Sequence, residues 1–441
     1  MPSRKGETML IQATFENILS FDKPTTFSMV AGKITKQHKD HVRKIDGTPV
    51  LRGAILYGAN AAGKSNLIKA LSLFCTMFLS NDCTLLRGKA FQLGAKPNPD
   101  SIFDILFRWL NQTFRYHVKT DGETIKEESL CTFANGMETV LFGRSGNDIR
   151  PGEPLDSDWY RWRTVQGKSL YLSKLISDGL EENANAIPNS DLVLAAVAGL
   201  RAIQPFVLTG LRPENVPMLA PGAPEAFKDF LKQLLIGADA GIADVVATPL
   251  TSKELSDIPL ADLLPPIGAD LVRATGLPHS FAFFWGDRYL LVRQTPNGYR
   301  GESIRLLHGT KPFPLSAESD GTIRLLEFAP FLLFLTMFPA TYLVDEFDRN
   351  LHPVLAKHLL ELVFKTANPD AQFIVTAHDT TLMTHDLWRT DEIWFAEKRQ
   401  DGSTDLYSMY NFTPRFDKNL EKGYRQGLYG AVPFPGGGLH Q

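Results

Sequence analysis

The sequence predicts an α/β fold: a mixed sheet flanked by helices and interrupted by a mostly helical insertion. Three observations carry that expectation. An apolar run, Gly53–Tyr57, leads through a glycine-rich turn into a segment with apolar residues at spacings of three and four. The last third alternates helix-like and strand-like stretches (Thr322–Met337, Thr341–Asp345, Pro353–Thr366, Gln372–Thr376), the pattern of a parallel sheet covered by helices. Between about 150 and 280 the texture changes to short helical pieces, Ser169–Ser177 and Glu225–Leu235, separated by proline-rich linkers around 213–217, 221–224 and 265–266. The expected organisation is therefore an N-terminal lobe over 1–149, an insertion over 150–280 and a C-terminal lobe over 281–441.

The elements follow in order. Leu10–Glu16 alternates apolar and polar residues as a half-buried strand does, and Thr25–Val30 follows a Lys-Pro turn. A basic loop with Lys33, Lys36, Lys39, Arg43 and Lys44 separates these from the buried strand Gly53–Tyr57. Leu67, Ile68, Leu71, Phe74 and Phe78 give the next segment, Ser65 to about Phe78, one apolar helical face. Ile102–Trp109 and Thr113–Val118 read as an antiparallel pair turning near Asn111, and Phe281–Phe284 and Tyr289–Arg293 as another around Gly286-Asp287. No sustained heptad, internal repeat or low-complexity tract is present.

Composition bounds the chemistry. The chain has 441 residues, 46 basic and 49 acidic, for a net charge of −3, which does not mark a protein coated in nucleic acid. No apolar run is long enough to cross a membrane; the nearest, Phe328–Phe338, contains Pro330. Residues 1–8 lack the apolar core of a secretory signal and read as a disordered leader. Cys75, Cys83 and Cys131 have neither metal-ligand spacing nor an even count, so a reducing cytoplasm is the expected setting.

Gly58, Ala59, Asn60, Ala61, Ala62, Gly63, Lys64 and Ser65 fit G-x-x-x-x-G-K-[ST] between the predicted strand and helix, with Asn66 in the helix's first turn. A chance match in a chain of this length has a probability of roughly 2%, and the flanking elements lower it. Glycines let backbone N–H groups turn toward phosphate oxygens, and the helix N-terminus adds its positive end. Lys64 then reaches the β- and γ-phosphates of ATP, and Ser65 ligates Mg²⁺. Thr341–Asp345 is an apolar strand ending in Asp345 and Glu346. In the same chain as a phosphate loop, Asp345 reads as a Mg²⁺ holder and Glu346 as the general base that polarises water. Their side chains leave a strand on opposite sides, which separates the two roles. Gln372–Thr376 leads to His378, a γ-phosphate sensor candidate; His385, seven residues on, has the wrong spacing for a metal pair with it.

Taken together, these segments resemble the RloA-like, or AbiLi-like, ATPases of bacterial defence islands, which group with the overcoming-lysogenization-defect ATPases and the DNA-repair branch of the ABC class. The resemblance rests on MLIQATFENILSF, GANAAGKSNLIKAL, ESDGTIRLLEF, LVDEFDRNLHP, FIVTAHD and GYRQGLYGAVPF, and is loose over 150–280 apart from SLYLSKL. It implies an ABC-type P-loop ATPase head using ATP and Mg²⁺. Ser319 and Gly321 would form a signature motif that serves the γ-phosphate held by a partner subunit, and Asp348 to His352 a loop across the interface. A homodimer or higher homo-oligomer follows. The glutamine loop that senses magnesium has one candidate, Gln92 in Phe91-Gln-Leu, whose other reading is a surface glutamine. About 45 residues follow Phe395, too few for a fused nuclease domain of on the order of 100. The resemblance to RloA-like systems implies that the effector is supplied in trans, as a Toprim-like nuclease. A RecF-like ATPase that clamps DNA and an assembly scaffold with little turnover are the rival readings; intact Glu346 and His378 argue against the scaffold.

Overall fold

The computed structural model describes residues 8–34, 37–45, 47–94, 100–134, 136–153, 155, 165–180, 189–205, 225–237, 241–260, 280–286, 288–295, 298–412 and 419–432. Residues 1–7 of the expected leader, Lys36, Asp287 and the proline-rich linkers expected around 213–217, 221–224 and 265–266 lie outside them; Thr8, the last residue assigned to that leader, is instead buried at the start of a strand. The chain packs as two units, one of Met1–Val207, Met337–Asp348 and Ala356–Gln441, the other of Leu208–Thr336 and Arg349–Leu355. The segment 150–280 is thus shared: its opening part belongs to the first unit and the remainder to the second. Among its described residues, helices occupy Tyr171–Ser177, Ser190–Arg201, Glu225–Gly237 and Ser252–Ser256.

The first unit opens with β1 (Thr8–Glu16), β2 (Thr25–Ser28), the hairpin β3 (Val42–Ile45) and β4 (Thr48–Leu51), then β5 (Gly53–Tyr57) and helix α1 (Lys64–Ser80). It continues through β6 (Ser101–Trp109), β7 (Gln112–Thr120), β8 (Ile125–Ala134), β9 (Met137–Ser145), β10 (Asp148–Pro151) and β11 (Ile203–Pro205). In the second unit β12 (Asp244–Pro249), β13 (Ser280–Trp285), β14 (Arg288–Thr295) and β15 (Gly298–His308) form an antiparallel sheet in the order β12-β15-β14-β13, with β16 (Lys311–Pro314) paired to β15. The helix Asp320–Met337 follows. Then come β17 (Thr341–Val344), the helix Pro353–Thr366, β18 (Gln372–Thr376), β19 (Ile393–Lys398) and β20 (Thr404–Ser408).

Two sheets of opposite character build the first unit. One is antiparallel, in the order β10-β9-β8-β7-β6-β1-β2, and its strands β6 and β7 alternate buried with half-exposed residues. The other runs β11-β17-β18-β5-β19-β20, parallel as far as β19 and closed by antiparallel β20. Every residue of β5, β17 and β18 is buried, as central parallel strands covered on both faces require. Helix α1 buries Leu67, Ile68, Leu71, Phe74 and Phe78 in a core that both sheets share. The Phe74 ring lies 5.7 Å from Phe103 on β6 and 6.0 Å from Tyr116 on β7.

The expected strands Thr25–Val30 and Thr341–Asp345 end sooner, at Ser28 and Val344. Strands β8 to β10, β15 and the helix Ser190–Arg201 did not stand out in the sequence. Bulges between Lys119 and Thr120 and between Leu130 and Cys131 shift the register there and blur the period-two pattern. Buried Glu128 on β8 explains why SLYLSKL sits where it does. Its carboxyl accepts the N–H groups of Tyr171 (2.7 Å) and Leu172 (2.9 Å), the Tyr116 hydroxyl (2.7 Å) and the Arg144 guanidinium (3.3 Å). The first turn of Tyr171–Ser177 is thereby fastened to the antiparallel sheet.

Candidate nucleotide site

The turn between β5 and α1 has the backbone that phosphate binding needs. Gly63 has φ 106°, and a Cβ there would run into Thr404 Oγ1; a Cβ on Gly58 would run into Ala396 O. Only glycine fits either place. Ala61 is also left-handed, at φ 59°. No side chain caps the N-terminus of α1, which leaves its first N–H groups available to an anion. Lys64 is 5% exposed and its ammonium donates to Gly58 O (2.8 Å) and Ala59 O (3.2 Å). Burial lowers its pKa, while Asp345, Asp348 and Glu346 oppose that shift by their charge.

Three residues outside the motif brace this loop. Ser20 Oγ accepts from the Asn66 side-chain amide at 2.7 Å. Thr404 Oγ1 sits 2.7 Å from Ser20 Oγ and donates to Ala62 O at 2.8 Å. Ala396 on β19 backs Gly58. Asn66, expected beside the nucleotide, thus spends its amide on the loop's own support. Ser20, Thr404 and Ala396 escaped sequence reading because they come from the two ends of the chain and carry no spacing signal.

The acidic corner lies at the ends of β17 and β18, and β18 separates β17 from the phosphate-loop strand β5. Glu346 has φ 51°, so the strand has already ended there. The alternation argument for separating Asp345 from Glu346 therefore does not apply; hydrogen bonds separate them instead. The Thr376 hydroxyl donates to Asp345 Oδ1 at 2.5 Å and accepts from Glu346 N at 2.8 Å. Glu346 Oε1 is 4.0 Å from His378 Nε2, with both side chains about half exposed (40% and 48%). Asp348 Oδ2 accepts the N–H groups of His378 (2.8 Å) and Asp379 (2.5 Å). Of the segment 348–352 expected to cross an interface, the first carboxylate is thus committed to its own chain, while Arg349, Asn350 and His352 are exposed.

The closing motif packs on the same sheet. Tyr424 stacks on Phe395 of β19 at 5.4 Å and 7° between planes, and Tyr429 at 6.1 Å and 16°. Thr380 Oγ1, just past His378, lies 3.4 Å from Glu421 Oε1. Pro433 and Phe434 of that motif lie outside the described residues. Gln92 is exposed, with its amide donated to Ala90 O at 2.7 Å. Its segment is held by Leu19 N donating to Lys89 O (2.7 Å) and by Phe91 N donating to Asn17 Oδ1 (3.2 Å), next to Ser20 of the brace.

Within the second unit, Ser319 Oγ accepts from Thr322 N at 3.1 Å and caps the helix Asp320–Met337. A Cβ on Gly321 would meet Asn350 O at 3.1 Å and Ser319 Oγ at 3.7 Å. The basic loop is more tightly held than its composition implied. His41 is buried, stacked 3.6 Å from Phe364 and bonded to Glu392 at 3.0 Å, and Arg43 pairs with Asp370 at 2.6 Å. Lys33, Lys39 and Lys44 are exposed.

A glycine-rich phosphate loop on a central parallel strand, with an acid-tipped strand two places away, defines a P-loop ATPase domain. The profile of the family described as "AAA domain, putative AbiEii toxin, Type IV TA system" matches residues 54–129 and 255–384, which hold the phosphate loop, signature segment, acidic corner and His378. The SMC head domain from Thermotoga maritima aligns at 13% identity over 90% of this chain and 98% of its own, with a TM-score of 0.40. An SMC head bound to the C-terminal winged-helix domain of ScpA aligns at 16% identity over 90% of this chain and 97% of its own, with a TM-score of 0.42. No curated protein matches. Among the described residues, no helix is long and apolar enough to cross a membrane.

Proposed function

We propose that this chain is a Mg²⁺-dependent ATPase that dimerises around ATP and serves as the regulatory subunit of an antiphage defence system. The observation that carries the hydrolytic part is the corner where Glu346 Oε1 stands 4.0 Å from His378 Nε2 while the Thr376 hydroxyl holds Asp345. The donor set suits a hard cation: the Ser65 hydroxyl and the Asp345 carboxylate are the oxygen ligands Mg²⁺ prefers. When bound, the ion would neutralise charge on the phosphates. Lys64 supplies fixed positive charge to the β- and γ-phosphates, and the uncapped start of α1 supplies N–H groups. Glu346, half exposed, takes a proton from the attacking water, and His378 beside it orients that water. Gln92 is the magnesium-sensing glutamine in this reading, supported by its segment's attachment beside Ser20.

The regulatory part rests on the resemblance to RloA-like ATPases and on the toxin–antitoxin wording of the matched family. In it, Ser319 and Gly321 complete a partner subunit's site, and a Toprim-like nuclease encoded separately is the effector. The composite site is tested by hydrolysis per protomer across protein concentration. The rate should rise cooperatively, and Ser319→Arg should abolish the rise while leaving ATP binding intact. A rate per protomer independent of concentration would reject the dimeric site.

A further inference from the structure

We infer that Thr376 is a positioning residue that sets both carboxylates of the acidic corner, a role no motif assigns to it. Thr376 is fully buried at the end of β18, between the phosphate-loop strand and the acidic strand. Its one hydroxyl serves two neighbours at once, donating to Asp345 Oδ1 at 2.5 Å and accepting from Glu346 N at 2.8 Å. The donated hydrogen bond engages Oδ1 of Asp345 and so fixes which of its two oxygens Thr376 occupies. The accepted bond holds Glu346 at φ 51°, a conformation that persists only where surrounding contacts over-determine it. Thr376 O completes the grip by accepting from Phe347 N at 2.9 Å. Glu346 is therefore tied to β18 by its own N–H and by that of the next residue. The Asp345 carboxylate and the backbone that carries Glu346 are held by the same side chain, so losing it should disturb both.

This inference rests on the proposed Mg·ATP reading, and its test separates the two. Binding of a fluorescent ATP analogue is titrated with Mg²⁺ in the full chain, its Thr376→Val variant and its Thr376→Ser variant, alongside turnover and melting temperature. Valine keeps the shape and removes both hydrogen bonds; serine keeps the hydroxyl. In Thr376→Val the Mg²⁺ midpoint should rise by about ten- to a hundredfold, the usual effect of losing an outer-shell partner of a metal ligand. Analogue binding in EDTA should not change, and Thr376→Ser should stay within about threefold of the parent. If the valine variant does not fold, Thr376→Ala, which leaves room for water, gives the same reading. An unchanged Mg²⁺ midpoint in the hydroxyl-free variant overturns the inference, as does an equal shift in the serine variant. A parent that binds Mg·ATP without turning it over would sink the hydrolytic reading, yet the Mg²⁺ titration would still judge Thr376.

Discussion

The two helix starts proposed to serve phosphate are built on different plans. At Gly58–Ser65 the turn is held from outside by Ser20, Thr404 and Ala396, on segments remote in sequence, and no side chain caps the helix. At Ser319–Gly321 the turn satisfies itself: Ser319 caps its own helix through Thr322 N, and an added Cβ on Gly321 would meet only Asn350 O and Ser319 Oγ within 4 Å. The first turn is a finished cradle whose shape depends on the rest of its unit. The second is a turn held by a local contact, the Ser319 hydroxyl accepting from Thr322 N three residues on. The two turns differ in that the first depends on remote segments for its shape and the second on a contact three residues away.

Substitutions in the two turns should therefore fail in different ways. The largest effect is expected from Lys64→Ala, which removes the buried ammonium that Gly58 O and Ala59 O hold in place. ATP binding, measured by calorimetry, should disappear; retained affinity would mean that the cradle does not depend on its charge. Gly63→Ala comes next. Its φ of 106° costs a side chain about 1–3 kcal/mol, and the new Cβ meets Thr404. ATP affinity should fall at least tenfold, and pairing the change with Thr404→Ser should recover little, because the backbone strain remains. At the other turn, Ser319→Ala should cost about 1 kcal/mol of stability through the lost cap, read by chemical denaturation, with ATP affinity unchanged. A loss of affinity there would erase the contrast between the turns.

How much of this was legible depends on whether a contact leaves a local trace. The phosphate loop, Asp345, Glu346 and His378 stood out as candidates because phosphate and water chemistry demand particular residues at fixed spacing on particular elements. β5, β18 and the helix Pro353–Thr366 were legible to the residue, since continuous burial leaves an unbroken apolar run or a helical stripe. Thr376 sat in plain view inside FIVTAHD and was still missed. A buried threonine in a strand is ordinary, and its partners Asp345 and Glu346 lie about 30 residues away. Ser20 and Thr404, separated by 384 positions, were beyond any reading of pattern. The anchoring of the basic loop left no trace for a related reason: the acids that pair with Arg43 and His41, Asp370 and Glu392, arrive from the far end of the chain.

The smallest effect is expected in that loop. Neutralising exposed Lys33, Lys39 and Lys44 to Gln should leave hydrolysis within about twofold, as for surface charges in general. If the variant also lowers the salt slope of nucleic-acid binding by about 0.7–0.9 per lysine, the loop is a contact surface rather than a solvated face.

The central claim is that the corner formed by Glu346, His378 and Asp345 is a hydrolytic centre and not merely a nucleotide clamp. It is tested most directly by Glu346→Gln, which keeps the size and the backbone bond to Thr376 while removing the proton acceptor. Single-turnover hydrolysis of pre-bound Mg·ATP should slow by about 10² or more, with ATP affinity within about twofold of the parent. Hydrolysis at the parent rate with nucleotide bound would contradict the assignment and leave the corner as a binding feature.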